Sequence, residues 1–141
     1  MYFDSCFVAK YYLGETDSDL VCDLVERSGP VRTSALAITE LHCVFHRALR
    51  EKRLSVAEVR HQAAAFDQHV DHGVWILSPV PDGLLRRTAA LVLAAPADTF
   101  LRSADAIHLA TAQELGESEI WTSDRHMLAA APFFGLRGRT L

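Results

Sequence analysis

The segment Ser103–Leu115 constrains this chain more than any other. Ser103 is a good N-cap and Gly116 a natural stop, and between them almost every residue is small or apolar. A helix that is apolar nearly all round belongs inside the molecule, not on its surface. Yet Asp105 sits in its first turn. A carboxylate there gains from the free N–H groups and the positive end of the helix, which is the ordinary explanation.

Three further acids make the ordinary explanation incomplete. Asp4 ends an apolar run, Asp124 follows another, and Glu40 lies inside an apolar helix. Leu36, Ala37, Cys43 and Val44 are the neighbours of Glu40 three and four positions away, so it keeps apolar company. Carboxylates placed where a chain normally puts hydrophobes are costly unless compensated. A divalent cation held by oxygen ligands is the usual compensation.

The chain of 141 residues is read as one domain spanning 1–141, long enough for a real core. Half of it is hydrophobic, and a net charge of −4 excludes a global basic field for nucleic acid; such contact needs a local patch. Cys6, Cys22 and Cys43 follow no metal-ligand spacing, which points to free thiols in a reducing compartment. No segment approaches a membrane span and the N-terminus has no basic region before its apolar run. A cytoplasmic protein without membrane contact is the expectation.

Taken in order, Met1–Asp4 reads as a strand, and a helix starts at Ser5 and stops at Gly14. Asp17 or Ser18 caps a second helix to about Glu26, and Gly29-Pro30 is a break. Val31–Thr33 is a strand, and Ser34 caps a helix to about Glu51. It finishes in the basic run Arg47, Arg50, Lys52 and Arg53, a solvated face or a phosphate contact. Ser55 caps the next helix to about His72, Val74–Leu77 is a buried strand, and Asp82 caps a helix after Pro79 and Pro81. Glu119–Thr122 is a strand, Ser123-Asp124 caps a short helix ended by Pro132, and Phe133–Leu136 reads as the last strand, before a basic tail with Arg137 and Arg139. Alternating strands and helices predict an α/β fold with a mainly parallel sheet.

In such sheets ligands bind beyond the carboxyl ends of the strands. Asp4 and Asp124 directly follow strands, Asp105 opens a helix, and Glu40 must arrive from a helix body. The Thr122 hydroxyl, one strand period from Asp124, is placed to bond a water on the cation. His42 and His46 are four apart on a helix but lack a third ligand, so they read as structural or surface residues; His108 reads as a packed or supporting residue. Arg102 either holds phosphate or pairs with an acid.

Asp4-Ser5 after an apolar strand, Glu40 in Ser34-Ala-Leu-Ala-Ile-Thr-Glu-Leu41, Ser103-Ala-Asp-Ala-Ile-His-Leu-Ala110 and Thr122-Ser-Asp124 together resemble a PIN-domain ribonuclease, in particular the VapC-type toxins of bacterial toxin–antitoxin pairs. The likeness follows the motif order over nearly the whole chain and is weakest from Ser55 to Leu101. It implies a three-layer α/β/α sandwich and Mg²⁺- or Mn²⁺-dependent hydrolysis of RNA. Asp4, Glu40, Asp105 and Asp124 would form the acidic metal site, with Thr122 in support. It further implies a small antitoxin protein as partner and a homodimer. One departure is Cys6, where relatives often carry a hydroxyl residue. A housekeeping RNA-processing nuclease, or a silent RNA- or protein-binding module of the same fold, are the competing readings. Four retained acids oppose the last, because a surface for RNA does not gather negative charge.

Overall fold

In the computed structural model, which describes residues 1–141, strand β1 (Tyr2–Phe3) leads into helices α1 (Ser5–Leu13) and α2 (Ser18–Ser28). Strand β2 (Val31–Ser34), helices α3 (Leu36–Arg50) and α4 (Val56–Asp71) and strand β3 (Trp75–Ser78) follow. The last part holds α5 (Asp82–Ala94), α6 (Ser103–Glu114), β4 (Glu119–Trp121), α7 (Arg125–Ala130) and β5 (Arg137–Arg139). All pairings are parallel, in a five-stranded sheet of order β3-β2-β1-β4-β5.

The shortest strand is central. Pleating sends the two residues of β1 to opposite faces. Phe3 packs with Phe7, Val21, Leu41, Phe45, Phe66 and Trp75 beneath α1–α4. Tyr2 packs with Leu84, Leu109, Ile120, Met127 and Phe134 beneath α5–α7. Two apolar layers on one sheet make the α/β/α sandwich that the strand–helix alternation predicts. Helix α6 is the inner helix of the second layer, with Asp105, Ala106 and every residue from His108 to Ala112 buried.

From β1 the chain winds outward through β2 to β3, then crosses back to place β4 on the other side of β1. The reversal leaves a crevice at the carboxyl ends of β1 and β4, where such sheets bind ligands. Asp4 directly follows β1, and Thr122 and Asp124 follow β4.

Some local expectations hold and others move. Ser55 caps α4 in a full capping box with Glu58, and Gly14 ends α1 at φ +60°. Ser103 and Asp82 are the first helical residues of their helices and do not cap them; Arg102 and Pro81 hold the cap positions. In those first turns the carboxylates pair with cations, Asp105 with Arg102 and Asp82 with Arg86. Ser34 is the last residue of β2, although its hydroxyl still accepts from the Leu36 N–H at 3.2 Å. Asp17 holds the cap position of α2 without a cap bond, its carboxylate being drawn to Lys10 at 2.8 Å.

The final strand is not Phe133–Leu136. Ala131–Phe134 is a 3₁₀ turn with proline in its first positions, and it buries Phe134 in the second core. The strand is the basic tail, Arg137–Arg139, at the sheet edge. An edge strand needs no apolar alternation, and exposed arginines suit it. Gly138 is required by close approach: a Cβ there would stand 2.9 Å from Leu128 Cδ2 and 3.1 Å from its Cα. No helix is long and apolar enough to cross a membrane.

Candidate active site

Asp4 is the N-cap of α1. Its Oδ1 accepts from the Phe7 N–H at 2.9 Å and its Oδ2 from the Thr122 hydroxyl at 2.6 Å. The side chain lies in a residue only 2% exposed. Burial pushes its carboxyl above the usual range, further than hydrogen bonds from Thr122 and Phe7 and the His108 ring pull it down. No cation touches it.

Thr122 does not reach outward. It is fully buried, and while donating to Asp4 its oxygen accepts from the Asp124 N–H at 2.9 Å. Asp124 in turn caps α7, with Oδ1 accepting from His126 N–H at 2.7 Å and Met127 N–H at 3.2 Å. Burial raises the Asp124 carboxyl, but those two N–H groups and the Arg102 guanidinium outweigh it and hold it below its ordinary value.

Glu40 arrives from the second turn of α3 and is partly buried. The Ser5 hydroxyl donates to its Oε2 at 2.5 Å, and His108 Nε2 lies 2.9 Å from the same oxygen. Burial raises this carboxyl too; hydrogen bonds from His108 and Ser5 outweigh it and hold it low. Asp105, in the first turn of α6, accepts from Arg102 Nε at 2.9 Å through Oδ2. The same guanidinium bonds Asp124 Oδ2. Of the two roles open to Arg102 in the sequence, this structure shows pairing with acids.

All four acids therefore line one small cleft of about 40 Å³, together with Ser5, Cys6, Arg102, His108 and Met127. Cys6 senses their shared field. Desolvation first, then the charges of Asp4, Glu40, Asp124 and Asp105, push its thiol up to about 12, although the residue keeps access to solvent. The acids share a cleft but no finished coordination shell: no group of three or more acidic, histidine or cysteine side chains is arranged as a metal site.

Sequence reasoning gave no role to Tyr2 or Ser5 and only a general one to His108. His108 is buried, with Nδ1 2.8 Å from the Tyr2 hydroxyl and Nε2 3.0 Å from Ser5 Oγ. A histidine inside an apolar helix was the available signal, but its partners Tyr2 and Ser5 lie more than a hundred residues away and Glu40 lies 68 away. His42 faces solvent with Nδ1 donating to Ile38 O within its own helix. His46 lines a groove beside Arg47 and Arg50, away from the acids.

Comparison with known proteins places this geometry. The family model for the PIN domain matches residues 1–132. No curated protein matches the sequence. In shape the chain is similar to the crystal structure of VapC20 of Mycobacterium tuberculosis, described as a sarcin–ricin loop cleaving toxin. The TM-score is 0.71 and the identity 19%, over 96% of this chain and 98% of that one. That likeness speaks for the fold, and the family match runs unbroken from β1 through α7. With its acids gathered at the carboxyl ends of adjacent parallel strands, the chain belongs to the PIN domain family.

Proposed function

We propose that the protein is a Mg²⁺- or Mn²⁺-dependent endoribonuclease acting as the toxin of a toxin–antitoxin pair. The observation that carries the reading is the convergence of Asp4, Glu40, Asp105 and Asp124 in one cleft at the β1–β4 crevice. Membership of the PIN family and likeness to a toxin that cleaves the sarcin–ricin loop support it.

The donor set fits a hard divalent ion. All four candidate ligands are carboxylates, Asp4 is buried without a cation, and neither Glu40 Oε1 nor Asp105 Oδ1 has a hydrogen-bond partner. Arg102 now engages Asp105 and Asp124, so a complete shell requires it to release at least one. Bound Mg²⁺ or Mn²⁺ supplies Lewis-acid polarisation of a phosphoryl oxygen and a more acidic attacking water.

The chain's own residues divide the rest. Asp4, Asp124, Asp105 and Glu40 hold the ion, while Thr122 keeps Asp4 in register with Asp124. Arg102, more than half exposed at the mouth, turns from the acids to an incoming phosphate. The cleft admits an ion but not a nucleotide, so the RNA strand lies across it.

A small antitoxin protein and a second copy of the chain are the partners this reading brings. A groove of about 530 Å³ between α5 and α6, lined by Leu85, Val92, Leu93, Leu101 and Ile107, offers such a chain apolar surface beside Arg102. Light scattering on the pure chain and co-purification with a small protein encoded beside it test the two partners.

Activity is tested on a sarcin–ricin stem-loop and a panel of single-stranded RNAs. Cleavage with Mn²⁺ that stops in chelator and is lost in Asp4→Asn is expected. Metal-independent cutting, or none on any RNA with Mn²⁺ present, overturns the reading.

A further inference from the structure

Of the four acids, only Glu40 is held entirely by side chains from other elements. Ser5 of α1 and His108 of α6 bond it across 35 and 68 residues of sequence, and Tyr2 of β1 bonds His108 across 106. Both hydrogen bonds to Glu40 fall on Oε2. A carboxylate only accepts, so His108 Nε2 must carry the hydrogen. In the neutral ring Nδ1 is then the acceptor, and the Tyr2 hydroxyl at 2.8 Å is its donor. Ser5 closes the circuit, accepting from Nε2 at 3.0 Å while donating to Glu40 at 2.5 Å.

We propose that His108 is a positioning residue. It pins Glu40 Oε2, with Tyr2 setting its tautomer, and so reserves Glu40 Oε1 for the metal ion. The inference rests on the nuclease reading above and extends it to a residue that touches neither metal nor RNA.

The bland alternative is a buried polar cluster that only stabilises the fold. Two substitutions separate these roles, because the amide nitrogen of glutamine stands near Nε2 and that of asparagine near Nδ1. His108→Gln keeps a donor for Glu40 and gives up the Tyr2 contact; His108→Asn is too short to reach Glu40, and near Nδ1 it can meet the Tyr2 oxygen only as a donor.

The test is calorimetric titration of the metal-free protein with Mn²⁺, beside urea melts of each variant, with Glu40→Gln as reference. Asparagine is expected to weaken Mn²⁺ binding by about 10–100-fold, the usual effect of removing a ligand's support. Glutamine should bind close to wild type even where its stability has fallen as far. Equal affinity in both variants and wild type overturns the inference, as does a loss that follows stability alone in both. Wild-type affinity in Glu40→Gln overturns it while leaving the metal site standing. A wild-type protein that takes up no Mn²⁺ overturns the nuclease reading and this inference together. Should neither His108 variant fold, Tyr2→Phe removes the donor to Nδ1 that sets the tautomer, and unchanged Mn²⁺ affinity there overturns the proposal.

Discussion

Thr122 donates a 2.6 Å hydrogen bond to Asp4 Oδ2 across 118 residues of sequence, tying the end of β4 to the end of β1. The Thr122 hydroxyl oxygen accepts in turn from the Asp124 N–H, so one hydroxyl sets the spacing of two acids. Thr122→Val keeps the shape and deletes the bond. A hydrogen bond to a charged group contributes about 1.5–3 kcal/mol, and a loss of that size is expected in urea melts. Cleavage should fall with it, and Thr122→Ser should restore both. A valine variant as stable and active as wild type would falsify the link.

Asp4 is the acid of the cleft that is buried without a cation partner, and desolvation raises its pKa. Asp4→Asn keeps the cap on Phe7 and removes the buried charge. In chelator it should melt above wild type. Mn²⁺ should raise the melting temperature of wild type, by linkage worth about 2.7 kcal/mol at a hundred times its Kd, and leave the variant unmoved. Arg102→Ala should go the other way, melting lower without metal and gaining more from it, because Arg102 is the cation now shared by Asp105 and Asp124. Melting curves in which Mn²⁺ moves wild type and Asp4→Asn equally would remove the assigned role of Asp4.

Glu40 and Arg47 lie seven residues apart on one face of α3, about 10 Å along its axis. Arg47 and Arg50 are exposed, form no ion pair, and line a shallow groove of about 270 Å³ with Cys43 and His46. Phosphates flanking the scissile one are expected there. In a cleavage-dead Asp4→Asn background, Arg47→Gln and Arg50→Gln should each reduce the slope of log Kd against log salt by about 0.7 for single-stranded RNA. An unchanged slope in the double variant places the strand elsewhere.

Away from the cleft, His69 links pH to stability. Its Nδ1 accepts from the Tyr12 hydroxyl at 2.8 Å, and that oxygen accepts from Trp75 Nε1 at 2.6 Å. Desolvation first, then neighbouring His72, holds its pKa below the ordinary 6.5. Between the folded value and 6.5 the unfolded chain binds more protons, so stability rises with pH through that window and is lost as pH falls through it. Urea midpoints should therefore drop more steeply below pH 6.5 in wild type than in His69→Gln. Parallel curves would show that the ring titrates alike in both states.

Much of the site was legible because strand ends and caps are local signals. Apolar runs that stop at Asp4 and before Asp124 mark the carboxyl ends of two strands, and the apolar neighbours of Glu40 mark a carboxylate turned inward. The His108 network was not legible, since helical periodicity treats His108 as one more buried position and says nothing of Tyr2 or Ser5. Arg102 bridging Asp105 and Asp124 depends on a crossover that joins α6 to α7 across β4. The last strand was misplaced for a related reason. Apolar Phe133 and Phe134 look like a strand, but Pro132 favours a tight turn, and the true edge strand carries arginines that no alternation reveals.

The order of strands also sets a schedule. Asp4 is made among the first residues, yet its neighbour strand β4 and the Thr122 that holds it come 118 residues later. At about 5–20 residues per second, a ribosome needs on the order of 6–24 s to span that gap. Throughout that interval the nascent chain carries half a crevice and cannot assemble the four acids.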